Sequence, residues 1–516
     1  MEDLKREKSS VPFLLARNSL YNLVTQLFLM FLGVWAIPII VRGIAEERFG
    51  LLSLVWAFLG YFGLLDFGIS RAATKFVADS LARENHEEVR RVISTSLGLM
   101  TGIGFVCSVC LWAATSLLVS SVFSVDPQLE PEAMESLHLT AVALPFVLVA
   151  GVVRGVQMAY QRFDIVNLLQ LGLGVAQWVG SAILVYLGYG LTAIIGLLVI
   201  ARIILALVSF ALLWKIVGGG IALRTAWDAS LVRSVFAFGG WVAVSQILAP
   251  LFQYLDRIVI GAMLTLTAVA YYTVPQEIVS RLLVFPLSLT LVLFPMLSSG
   301  TLASESHREH SGLYKRSVKH LFSLVFPLAL LAIALAPEFL QWWVGEEFAS
   351  HSEVVFQVLS AGFFFNALAQ LPATALQAAG LPNVTAKIHL LEVVPTIIVM
   401  VACIFLWGLI GAAISWSLRA FGDCILLFIA ARRKIPNVAR NSMAFLTQFK
   451  VVLPVILLVL LVVVAMVVGV GGVKIGLLSF AGVLYLVSLW FVVFDDLDRT
   501  FFLQLRTRAS RKAMVE

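Results

Sequence analysis

The sequence predicts an all-α polytopic membrane protein with about 14 transmembrane helices, arranged as two pseudo-repeated six-helix lobes and a C-terminal helix pair. Three observations carry this prediction: the composition, the spacing of apolar runs, and an internal offset of 220 residues. Of the 516 residues, 60% are hydrophobic and 13% are charged, whereas a soluble domain has about 25% charged residues. A water-soluble chain of this length could not bury so much apolar surface, which excludes that class.

A helix that crosses a bilayer needs about 20 predominantly apolar residues. The apolar runs that meet this requirement lie near residues 18–41, 49–74, 92–118, 137–160, 165–187, 190–215, 236–262, 267–298, 318–340, 354–379, 383–407, 409–431, 450–470 and 475–494. The first run is too long for the core of a signal peptide, so we predict an uncleaved first span.

The basic residues predict the orientation of these spans. Cytoplasmic connections of membrane proteins are enriched in Lys and Arg. With the N-terminus inside, the outside connections hold only Arg42, Arg48 and Lys474, and the loops 119–136 and 338–353 contain no Lys or Arg. A miscounted helix would invert every later loop, so the pattern predicts an even number of spans with both termini in the cytoplasm.

An offset of 220 residues relates the two halves of the chain. Gln26 aligns with Gln246 and Gln157 with Gln377, which indicates parallel repeats of the kind found in transporters. We therefore predict a six-helix lobe over 1–216, a cytoplasmic linker over 217–235, a second six-helix lobe over 236–435, and an added helix pair with a basic tail over 436–516.

Ionisable residues inside the spans are the candidates for cargo binding, because such residues are costly in lipid and usually face a bundle interior or a wet cavity. Arg154 and Arg202 have no acidic residue within one helical turn and are expected to line a cavity. The alternative is that they pair across helices with Asp66 or Glu392. Glu277 and Arg281 are spaced to neutralise each other on one helix.

Amide side chains extend this set, since several together suit sugar hydroxyls, although each alone usually joins helices. The candidate substrate-binding residues are Asn22, Gln26, Asp66, Arg71, Arg154, Gln157, Arg202, Gln246, Gln253, Asp256, Arg257, Glu277, Arg281, Asn366 and Gln377. The sequence has no phosphate-loop motif of an ATPase and no metal-ligand or nucleophile–base pattern. We therefore expect no enzyme activity, no metal and no cofactor.

Several short motifs carry a resemblance to a known family. They are Arg17-Asn18, Glu47-Arg48-Phe49-Gly50-Leu51, Leu65-Asp66-Phe67-Gly68-Ile69-Ser70, Asp256-Arg257-Ile258-Val259-Ile260-Gly261, Tyr271-Tyr272 and Phe294-Pro295-Met296-Leu297-Ser298. With these motifs, roughly residues 13–435 resemble the polysaccharide-unit (Wzx-type) flippases of the MOP exporter superfamily.

The resemblance implies a flippase that moves an undecaprenyl-diphosphate-linked oligosaccharide, the repeat unit of a cell-surface polysaccharide, by alternating access. It implies the cytoplasmic (inner) membrane of a prokaryote. Its expected partners are the lipid bilayer, a polysaccharide polymerase and glycosyltransferases, with H+ or Na+ as the coupling ion and no nucleic acid.

Two other functions stay open from the sequence. A cation-coupled multidrug exporter of the same superfamily would favour an acidic cavity, whereas arginines slightly outnumber carboxylates within these spans. A membrane glycan polymerase or ligase would need a substantial outer loop to hold its acceptor, and every outer loop here is short.

Overall fold

A computed structural model describes residues 24–64, 68–123, 125–218, 251–298, 306–439, 444, 448–468 and 471–495. Within these ranges every extended regular element is helical, which confirms the predicted fold class. The helices of the first half are α1 Val24–Ile44, α2 Glu46–Leu64, α3 Ile69–Ala82, α4 His86–Leu117, α5 Glu130–Ala159, α6 Phe163–Tyr186 and α7 Leu191–Ile216.

The elements of the second half are also helices. They are α8 251–263, α9 Leu266–Leu282, α10 Val284–Ser298, α11 Ser306–Ala334, α12 Ala336–Val344, α13 Glu346–Ala378, α14 Pro382–Lys434, the short α15 Pro436–Ala439, α16 Phe449–Val468 and α17 Gly471–Ser488. Single π-helical turns follow α4 and α17, and a third, Ala176–Gly180, interrupts α6.

Ten of the described helices are long and apolar enough to cross a membrane. The difference of four from the predicted fourteen spans has four causes. The run 49–74 is divided between α2 and α3, and residues 236–250 of the run 236–262 lie outside the described residues. The run 267–298 is divided at Leu283 into α9 and α10, and the runs 383–407 and 409–431 form one helix, α14, interrupted by Gly408 at φ 58. With these interruptions allowed for, the described helices are consistent with the predicted spans.

The chain divides into two compact units. The first comprises Met1–Arg281, Gln341–Val355 and His389–Trp416, and the second comprises Leu282–Leu340, Phe356–Ile388 and Ser417–Glu516. Residues 251–281 thus pack with the helices of the first half. The lobe boundaries drawn from the repeat stay a prediction.

The first unit has a core built from α3, α4, α5 and the end of α7. Ile69, Val92, Val152 and Leu213 are among its buried members. The helices of this core approach closely. The Thr74 hydroxyl oxygen lies 2.8 Å from the carbonyl oxygens of both Ser70 and Gly155 and shares its single proton between them. A Cβ on Gly155 would lie 2.6 Å from the Ser70 carbonyl oxygen.

In the second unit, ion pairs hold the C-terminal helix pair to α11 and α12. Lys474 at the start of α17 contacts Glu338 at 2.6 Å, and only 7% of the lysine side chain is exposed. Lys319 contacts Asp495 at 3.3 Å beyond the other end of α17. Helix α17 is therefore held by an ion pair near each of its ends.

Gly155→Ala should destabilise the protein by about 2 kcal/mol, because the new methyl group overpacks the α3–α5 contact. Thermal unfolding of the purified protein in detergent measures this as a lowered midpoint. Gly98→Ala on α4 is the matched control, since no atom lies within 4 Å of the Cβ it would add. Equal midpoints for the two variants would contradict the close packing.

Candidate functional site

A cavity of about 190 Å³ lies within the first unit, between α2, α5, α6 and α7. Its wall is mostly apolar, with side chains such as Leu59, Phe146, Leu169 and Leu205. Polar groups are few and come from three helices. The polar lining consists of Arg154, Gln157, Gln170, Arg202 and Ser209. An apolar pocket with a few converging polar groups is the usual form of a ligand site.

Arg154 and Arg202 both line this cavity, as the sequence analysis expected of them. Arg154 lies close to the end of α5, and Arg202 lies near the middle of α7. One guanidinium nitrogen of Arg202, Nη1, donates to the carbonyl oxygen of Leu198 at 3.2 Å. This bond ties one end of the guanidinium to the backbone of its own helix. The other N–H groups of Arg202 remain available to further acceptors.

The amides and hydroxyls beside the arginines connect α5 with α7. Gln157 is fully buried. Its Nε2 donates hydrogen bonds to the carbonyl oxygen and to the hydroxyl oxygen of Ser209, each at 3.2 Å. Its carbonyl oxygen Oε1 has no hydrogen-bond partner within the described chain. Gln157 therefore joins two helices and leaves one acceptor unused at the cavity wall.

A buried network of charged groups lies on the α8–α9 hairpin. Arg257 Nη2 donates to Glu277 Oε1 at 2.9 Å, and Arg257 Nε donates to Gln276 Oε1 at 3.2 Å. Asp256 is 1% exposed, and its carboxylate accepts hydrogen bonds from the Tyr272 hydroxyl at 2.7 Å and from the Gln276 amide. Helix α9 thus supplies Arg257 with an acidic partner and Asp256 with two neutral hydrogen-bond donors.

Arg281 extends the network towards α1 and α6. Its Nη2 donates to Glu277 Oε2 at 3.2 Å, which confirms the predicted pair on α9. Its Nη1 donates to the Leu29 carbonyl oxygen at 3.3 Å, and the guanidinium lies 5.0 Å from the centroid of the Trp178 ring. Arg281 therefore contacts three helices at once.

The other predicted site residues are scattered. Arg71 is exposed on α3, and Gln26 and Gln253 are exposed on α1 and α8. In the second unit, Asn366 accepts a weak hydrogen bond from Gln370 at 3.4 Å, and Gln377 is exposed near the end of α13. Asn22, Asp66 and Gln246 lie outside the described residues. A role in cargo binding stays a prediction for the whole set.

Several polar or aromatic residues of these sites were missed by the sequence analysis. Tyr272 and Gln276 compensate Asp256, and their spacing of four residues on one helix was a usable signal. Trp178 lies in the π-helical turn of α6, and no sequence pattern predicted that turn. Gln170 was overlooked because a single amide in an apolar run is usually an interhelical contact.

Comparisons with known proteins agree with one another. The chain matches the family described as "Polysaccharide biosynthesis protein" over residues 15–301. It is 30% identical over 420 residues to a putative O-antigen transporter of Shigella flexneri, an alignment that covers 80% of this chain and 96% of the relative.

Two solved structures share the fold. The lipid II flippase MurJ in an inward closed conformation aligns with a TM-score of 0.67 at 12% identity, covering 91% of this chain and 97% of that one. An inward-facing multidrug resistance MATE family transporter of the MOP superfamily aligns with a TM-score of 0.66 at 16% identity, covering 81% and 99%. At these identities the likeness concerns the fold alone.

Arg257→Gln should destabilise the protein by about 3–5 kcal/mol, because it removes the most buried cation of the network. Arg257 lies beside the buried Asp256 and is one of the two arginines that contact Glu277. The measurement is thermal unfolding of the purified protein. Arg91→Gln removes an arginine from a comparable Glu–Arg pair, Glu87–Arg91, on the exposed start of α4 and should be close to neutral. If the two variants unfold alike, the α8–α9 network does not stabilise the fold.

Proposed function

The chain belongs to the polysaccharide biosynthesis protein family, and from this premise we propose that it is a flippase for a lipid-linked oligosaccharide. Its cargo is an undecaprenyl-diphosphate-linked repeat unit of a cell-surface polysaccharide, moved across the membrane by alternating access. The protein is a membrane transporter and not an enzyme. The observation that carries the proposal is the pair of arginines, Arg154 and Arg202, on the wall of one apolar cavity.

The physical problem of such a transporter is the head group. A diphosphate must lose water as it crosses the bilayer, and leaving it bare in an apolar medium is very costly. Guanidinium groups replace that water with charge-assisted hydrogen bonds that are often bidentate. Arg154 and Arg202 supply two such groups from different helices, so that one diphosphate can contact both.

The size of the cavity restricts what it holds. Ligand pockets usually measure about 300–1,000 Å³, and this cavity is smaller, at about 190 Å³. It suits the phosphate groups of the cargo and not a whole oligosaccharide. The polyprenyl chain can stay in lipid, so only the head group requires a polar passage.

The charge of the lining favours this cargo over the cationic drugs of a multidrug exporter. Among the residues that the structure describes, those that line the cavity include two arginines and no Asp or Glu. A cationic drug would meet like charge there, whereas a diphosphate meets opposite charge. The relative from Shigella flexneri, a putative O-antigen transporter, also supports a glycan cargo.

We further propose that the protein lies in the cytoplasmic membrane of a prokaryote with both termini in the cytoplasm. The basic connections support this orientation. A polysaccharide polymerase and glycosyltransferases are the proposed partners, because they consume and supply a lipid-linked repeat unit. H+ or Na+ is the proposed coupling ion.

Arg154→Gln and Arg202→Gln should each lower transport about tenfold, since a charge-assisted hydrogen bond to the diphosphate is lost. The Lys variants keep the charge and lose the planar fork, so they should be intermediate. Transport is measured as the flipping of undecaprenyl-diphosphate-linked oligosaccharide in proteoliposomes, and as surface polymer at a matched protein level.

Arg91→Gln is the control for this pair, because Arg91 is a half-exposed arginine on α4 that does not line the cavity. Its transport rate should equal that of the unaltered protein. Transport at the unaltered rate in both cavity Gln variants would refute the diphosphate role of the cavity.

Reporter fusions should place residues 127, 264 and 346 outside and residues 85, 310 and 437 inside. The physical reason is the retention of Lys and Arg on the cytoplasmic side. Alkaline phosphatase and green fluorescent protein fusions at each position measure it. A cytoplasmic signal at residue 346 would contradict the arrangement of fourteen spans.

A further inference from the structure

We propose that Arg257 and Arg281 form a second phosphate site, in which the Glu277 carboxylate occupies the place of a phosphate group of the cargo. The inference rests on the proposed function. It adds a second binding site for the cargo, at which the Glu277 carboxylate competes with the phosphate group. Three features of the first unit carry it: the way Glu277 bridges the two arginines, the independent anchoring of each guanidinium, and the gradient of exposure across the three side chains.

Glu277 divides its two oxygens between the arginines. Oε1 accepts from Arg257 Nη2 at 2.9 Å, and Oε2 accepts from Arg281 Nη2 at 3.2 Å. A phosphate group offers the same arrangement, with two oxygens on one centre facing two guanidinium forks. The carboxylate thus makes the contacts that a phosphate group would make between these arginines.

Arg281 keeps its position without help from Glu277. Its Nη1 donates to the Leu29 carbonyl oxygen of α1 at 3.3 Å, and its guanidinium lies 5.0 Å from the Trp178 ring centroid. The absence of a side chain at Gly33 provides the space, because a Cβ there would lie 2.5 Å from Arg281 Nη2. Three neighbours other than Glu277 therefore define where this guanidinium lies.

Arg257 is anchored in the same independent way. Its Nε donates to Gln276 Oε1 at 3.2 Å, and its guanidinium lies 5.8 Å from the Tyr254 ring centroid. Asp256 accepts a hydrogen bond from the backbone N–H of Arg257 at 2.9 Å. Withdrawal of the Glu277 carboxylate would leave two fixed cations facing a common space, which is the preorganised form of an anion site.

The three side chains differ in how far they are exposed. Arg257 is 5% exposed, Arg281 is 16% exposed and Glu277 is 21% exposed. Glu277 is thus the most exposed of the three side chains and Arg257 the most buried. On this proposal, an incoming anion displaces the Glu277 carboxylate, which turns away from the two arginines.

The competitor also explains how the site could release its cargo. Two bare guanidinium groups in a buried place would hold a diphosphate tightly, and a tight complex slows every later step. With Glu277 present, the arginines exchange one anion for another, so the gain on binding is only the difference between the two. The site then accepts the head group without trapping it.

The test uses the purified full chain in lipid nanodiscs and titrates inorganic pyrophosphate by calorimetry. The starting protein carries Arg154→Gln and Arg202→Gln, so that the cavity no longer contributes arginines. Adding Glu277→Gln should raise the affinity for pyrophosphate about tenfold over that starting protein, because two anchored guanidinium groups lose their internal partner. Adding Arg281→Gln as well should abolish the gain.

Glu87→Gln in the same starting protein is the matched control. It changes the net charge equally and removes the acid of another Glu–Arg pair spaced four residues apart, but on an exposed helix start. It should leave the affinity unchanged. An equal gain from Glu87→Gln would mean that net charge alone is responsible, and would overturn the proposal.

A folded Glu277→Gln protein without a gain in affinity would also overturn it. If that variant proves too unstable to titrate, Glu277→Asp decides the matter, since its shorter side chain should loosen the bridge and give a smaller gain. No gain from the Asp variant would then count against the proposal. The cavity is judged separately, by comparing pyrophosphate binding of the unaltered protein with that of the Arg154→Gln, Arg202→Gln protein.

Discussion

A charge within the bilayer must find its partner within the protein, because lipid supplies neither water nor counterion. This constraint organises the α8–α9 hairpin, where two arginines and two carboxylates join in one network with Tyr272 and Gln276. The same requirement fixes Arg281 against α1 and α6. Helix positions in the first unit are thus set by charge compensation as well as by apolar packing.

The basic residues of the connections predicted to lie outside also have partners within the protein. Arg42 donates to the carbonyl oxygens of Trp343 and Val344, each at 3.3 Å, at the C-terminal end of α12, where a cation is favourable. Arg48 pairs with Glu132 at 2.7 Å, and Lys474 pairs with Glu338. Each of these three residues is therefore paired within the described part of the protein.

The sequence was sufficient where the relevant contact is local. The spacing of Glu277 and Arg281 predicted their ion pair, and composition predicted the helical membrane fold. The ion pair between Arg257 and Glu277 could not be predicted from the sequence, because that contact depends on how α8 packs against α9. Trp178 depends on a π-helical turn, and apolar periodicity cannot distinguish such a turn from the α-helix around it. The cavity shape likewise follows from helix packing that no linear pattern encodes.

The two arginine pairs differ in a way that matters for a transporter. Arg154 and Arg202 face a cavity whose described lining residues include no acid, whereas Arg257 and Arg281 are bridged by one. A conformational cycle advances only if the cargo binds its states with different free energies. Under the proposed function, the cavity binds the phosphate group without displacing a lining carboxylate, whereas the bridged pair must first give up Glu277. The two arginine pairs would then bind the same phosphate group with different affinities, and the direction of transfer would depend on the coupling ion.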